Sequence, residues 1–216
     1  MPPGKKAAAL LQENDLAGLL EAAVKESGII RGLISLTYDK EDALCWRAIE
    51  AIGIISGGMA VKQPEKIRNL VQRLLWMLRD ESGNNVGSAP EILGEIVRNS
   101  PDTFSDIAPI IASFEDEEML RRGVLRALVR ISEKRPDLVM ASASLAGRYL
   151  GDQDAVLRAY AVLLAGRLGL KEYLPALEDL ARDTSCIRIY KDGELRDMTV
   201  GKIAGETAIL LRAKGG

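Results

Sequence analysis

Apolar residues recur along this chain at spacings of three and four, in runs separated by short polar stretches carrying Gly, Pro, Ser and Asp. Leu16, Leu19, Leu20, Ala23 and Val24 form one stripe, and Asp15 just before them has the side chain of a helix N-cap. Ser27-Gly28 closes that run. A second starts near Ile29, passes through Leu33, Leu36 and Tyr38, and stops at Asp39. Asp42 opens a third, with Leu44, Ala48, Ala51 and Ile52 on one stripe and Gly57-Gly58 predicted as its end. Pro64 starts a fourth, where a missing N–H costs nothing, and Ile67, Leu70, Val71, Leu74, Leu75 and Leu78 carry it to Asp80. After the polar loop Glu81-Ser82-Gly83-Asn84-Asn85, the pattern predicts helices over 89–97 and at roughly 102–114, 117–134, 137–150, 153–169 and 172–183.

The period then changes from helical to alternating. Residues around Lys191-Asp192-Gly193 read as a β-hairpin with a tight turn at Asp192-Gly193. Thr199 follows as N-cap of a last helix containing Val200, Ile203, Ala204, Ala208 and Leu211.

One helical pattern repeats. Ala48-Ile49-Glu50-Ala51-Ile52-Gly53 returns as Ala89-Pro90-Glu91-Ile92-Leu93-Gly94, 41 residues later. Looser copies lie at Val124-Leu125-Arg126-Ala127-Leu128 and Ala161-Val162-Leu163-Leu164-Ala165-Gly166. Fixed-period helix pairs stack, each burying apolar stripes against both neighbours. The expected fold is all-α, a right-handed α-solenoid of about five helical hairpins with a small C-terminal β-hairpin. It is read as one domain over 1–216: capping helices over 1–39, repeats over 40–183, and hairpin plus terminal cap over 184–216.

Asp154-Ala155-Val156-Leu157-Arg158-Ala159 through Gly166-Arg167-Leu168-Gly169 is similar to a HEAT unit of the phycobilisome-lyase HEAT-like kind. Trp46-Arg47-Ala48-Ile49-Glu50, Leu74-Leu75-Trp76, Asp80-Glu81-Ser82-Gly83, Ala89-Pro90-Glu91 and Tyr190…Asp192-Gly193 resemble small bacterial HEAT proteins of unassigned activity. The resemblance implies a scaffold and leaves chemistry open, since function lives in sites rather than folds. A chromophore-lyase role would rest on the family label alone.

Composition narrows the chemistry. The chain has no histidine, which removes the commonest general base and the commonest nitrogen metal ligand. Cys45 and Cys186 form no metal or redox spacing. Net charge is −2, so no bulk attraction to nucleic acid or membrane is implied. Neither a leader nor a spanning segment of about 20 apolar residues is read near the start or elsewhere, which predicts a cytoplasmic protein. No cofactor is expected, and the chain is read as a non-enzyme.

The candidate partner-binding residues are those that break the repeat. Trp46, Arg47 and Glu50 mark the first copy; Trp76 and Asp80 share a helix face before the second; Glu91 and Glu95 follow one turn apart. Arg122, Arg126, Arg130 and Lys134 recur every four residues opposite Val124, Leu128 and Ile131, predicting an outward basic stripe. Solvated or paired carboxylates are favoured over a cation site at Glu50, Glu91 and Glu95. The favoured function is protein–protein interaction on a concave helical surface, with tryptophans as anchors and charges setting register. The alternative is nucleic-acid-directed: Trp76 and Asp80 resemble the aromatic groove and catalytic aspartate of HEAT-like alkylpurine DNA glycosylases, but the basic groove those enzymes need is not evident.

Overall fold

A computed structural model describes residues 1–79 and 87–213. It is mostly helical, with one two-stranded antiparallel sheet near the C-terminus. In chain order the helices are α1 (Pro3–Gln12), α2 (Leu16–Lys25), α3 (Gly28–Ile34), α4 (Ala43–Ala60), α5 (Pro64–Arg79), α6 (Ala89–Asn99), α7 (Pro101–Phe104), α8 (Ile107–Ala112) and α9 (Arg121–Ser132). Then come a 3-10 segment Pro136–Ser142, α10 (Ser144–Tyr149), α11 (Ala155–Leu168), a 3-10 turn Lys171–Tyr173 and α12 (Leu174–Leu180). Strands β1 (Cys186–Lys191) and β2 (Glu194–Thr199) precede α13 (Val200–Ala213). The chain divides into two compact units, Met1–Ile107 and Ala108–Gly216.

In the first unit, α4 and α6 form the centre. Gly53 lies so close to α6 that a methyl group there would sit 2.6 Å from Glu95 Cβ and 2.8 Å from its carbonyl oxygen. One turn on, Gly57 stands in the same relation to Asn99, 3.0 Å from its carbonyl oxygen. Both contacts advance together along the two helices, so α4 and α6 run parallel. The glycines expected to end α4 are therefore inside it. Gly57 and Gly58 hold space for Asn99 and Leu20, and the helix continues to Ala60. α4 is long and apolar enough to cross a membrane by length and composition, although no such segment was anticipated. Most of it is buried within the protein, as the core helix of a helical unit would be.

Asp15 and Asp42 cap their helices as expected, accepting from the amides of Gly18 (2.8 Å) and Leu44 (2.9 Å), and Asp154, not singled out as a cap in the sequence, accepts from the Val156 amide (2.9 Å). The N-terminal segment, tested in the sequence only as a leader, forms α1 with Pro3 in its first turn. It buries Ala7 and Leu11 and lays its Gly4 backbone against Gly32 of α3. α3 ends at Ile34 rather than Asp39, where Thr37 turns its hydroxyl back onto the Ile34 carbonyl (2.9 Å).

In the second unit, α11 packs between α9 and α13. Gly166 makes room for Thr207 of α13; a methyl group there would meet its Cγ2 at 2.5 Å. The hairpin pairs Cys186 with Thr199 through Lys191 with Glu194, and positive φ at both Asp192 and Gly193 gives the mirror-image turn that matches strand twist. Thr199 then caps α13 by accepting from the Lys202 amide (3.1 Å). Arg158 of α11 fixes the approach to the hairpin, donating to Asp183 (2.8 Å), Ser185 (2.9 Å) and the Asp152 carbonyl (2.7 Å).

Replacing Gly53 by Ala tests the α4–α6 contact through its sign. In an ordinary helix interior the change stabilises by about 1 kcal/mol. Overpacking against the Glu95 backbone is expected to reverse this, costing about 2 kcal/mol in denaturant unfolding. Gly151→Ala, where nothing lies within 4 Å, is the neutral control.

Candidate functional site

The residues singled out in the sequence separate into a buried group and an exposed one. Trp46 is buried, so it is no surface anchor. Its indole N–H donates to the Lys40 carbonyl (2.9 Å), and the Lys40 ammonium sits 4.7 Å from its ring centroid. The same ammonium donates to Glu91 Oε1 at 2.6 Å. Lys40 thereby joins the start of α4 to the start of α6, while Glu91 is buried, with no hydrogen-bond donor to Oε2 among the described residues. Ser88 reinforces that junction, its buried hydroxyl donating to the Thr37 carbonyl (2.5 Å). Glu95 is fully buried, with its Cβ and backbone against Gly53 and Oε2 3.8 Å from Arg98. Arg47 and Glu50 are half-buried on α4. Among the described residues, no three Cys, Asp or Glu side chains come together as a metal ligand set.

The outward basic stripe of α9 requires correction. Arg126 is 4% exposed, and Arg130 is half-buried, donating to both oxygens of Glu133 (3.1 and 2.9 Å). Arg122 is exposed but paired with Asp154, the cap of α11. The physical reason is that α9 is enclosed on several sides: Gly123 through Val129, Ile131 and Ser132 are all buried. A charge reversal at Arg126 would bury an acid and unfold the unit rather than probe a surface.

Trp76 behaves oppositely. It stands 67% exposed on α5 while Ile67, Leu70, Val71, Leu74 and Leu78 bury the other side of that helix. α5 packs on α4 and α6, and Arg68 ties it to α7, donating to Asp106 (3.1 Å) and the Thr103 carbonyl (2.8 Å) and stacking 5.0 Å from the Phe104 ring centroid. Asn69, Gln72, Arg73, Trp76 and Met77 line a shallow depression of about 500 Å³. These spacings of three and four place the five residues on one outer face. Asp80, the proposed companion of Trp76, lies outside the described residues, as does the loop that follows it.

One further charged cluster escaped the sequence reading. Glu115 is buried; it accepts from the Tyr149 hydroxyl (2.5 Å) and from Arg148, and its carbonyl accepts from Arg121 (3.0 Å). The Arg121 guanidinium lies 5.7 Å from the Tyr149 ring centroid. Burial alone would push the Glu115 carboxyl up, but the donations from Tyr149 and Arg148 outweigh it and hold the group below the usual range. Burial, then donation to that carboxylate, pushes the Tyr149 phenol up. All these groups are engaged with one another, so the cluster is a structural clamp between the turn before α9 and the end of α10. The sequence spacing of 33 to 34 residues held no local signal for it.

No family model matches the chain. It is similar to an uncharacterised protein of Archaeoglobus fulgidus, with 32% identity over 102 residues, 47% of this chain and 52% of that protein. The chain thus spans about half the length of this curated relative.

The clamp makes stability depend on pH with a definite sign. A carboxyl depressed in the folded state contributes fully above its unfolded value, and the contribution is lost as pH falls through the folded one. Unfolding measured from pH 7 downward should show the second unit weakening below about pH 4. Glu115→Gln is expected to be less stable at neutral pH and to flatten that acid limb.

Proposed function

We propose that this protein is a non-catalytic helical interaction scaffold, built from HEAT-like hairpins, that docks a protein partner on the outer face of α5. The observation that carries the reading is Trp76. A tryptophan on a regular helix, with its backbone fixed by five buried aliphatic side chains, has no packing role in leaving its ring in water. Tryptophan and arginine are the residue types most enriched among binding hot spots, and Arg73 stands one turn away. Asn69 and Gln72 add groups that both donate and accept hydrogen bonds, which suits an irregular polypeptide surface.

The concave surface and the α9 stripe, expected as the docking site, contribute less to this reading because Trp46, Glu91, Glu95 and Arg126 are internal. The nucleic-acid alternative draws on Trp76 with Arg73 and Arg79. Among the described residues of the α5 outer face there is no second aromatic ring to continue a base stack. A protein partner is therefore the stronger reading.

The test combines capture with fluorescence. Trp76→Ala should leave circular dichroism and melting within about 0.5 kcal/mol of the original protein, since the side chain is exposed. It should abolish co-purification of the proteins that the original chain captures. In the original chain, acrylamide should quench one tryptophan readily and leave Trp46 protected; bound partner should protect both. Unchanged capture by Trp76→Ala would remove α5 as the site.

A further inference from the structure

We draw no further inference here: the strongest candidate, the outer face of α13 where Ile209 and Leu210 stand exposed beside Lys202 and Glu206, carries none, since nothing in the structure shows what covers it.

Discussion

Close approach of helix to helix through small residues is the constraint from which both units follow. With aromatics only 4% of the chain, there are few large rings to fill wide gaps between helices, so the helices must come together instead. Gly53 and Gly57 let α4 rest on the α6 backbone, and Gly166 lets α11 receive Thr207. Once α4 and α6 are that close, the side chains at their N-terminal ends must resolve their charges locally. Lys40 does so, bonded to Glu91 and lying over Trp46.

That constraint also explains which parts of the sequence could be read. The capping aspartates and the Asp192-Gly193 turn act through neighbours within a few residues, and they stand where local chemistry put them. The glycines of α4 were legible as glycines but not as packing sites. Gly57-Gly58 signals a helix end unless Asn99 and Leu20 are known to lie against it. Arg126 illustrates the same limit. A helix wheel divides residues into one buried and one exposed side, whereas a helix with neighbours on several sides buries both.

The candidate site was legible in part and for a physical reason. Trp46 and Trp76 were indistinguishable as sequence features, both standing in helical stripes near charged residues. The structure separates them: Trp46 satisfies its indole N–H internally and shields a lysine, while Trp76 has its buried side already filled by leucines. The buried Glu115 clamp depends on pairings across more than 30 residues and had no local trace. Large apolar side chains stay exposed at several places, Trp76 on α5 and Ile209 and Leu210 on α13 among them.

Native-state hydrogen exchange resolved along the chain tests the central packing claim most directly. If glycine-mediated contact locks α4 to α6, the amides of Ala48–Ile55 and Ile92–Val97 should exchange only through one shared opening, with the same free energy and the same denaturant slope. Exchange of α4 through a separate opening, with α6 still protected, would contradict the account.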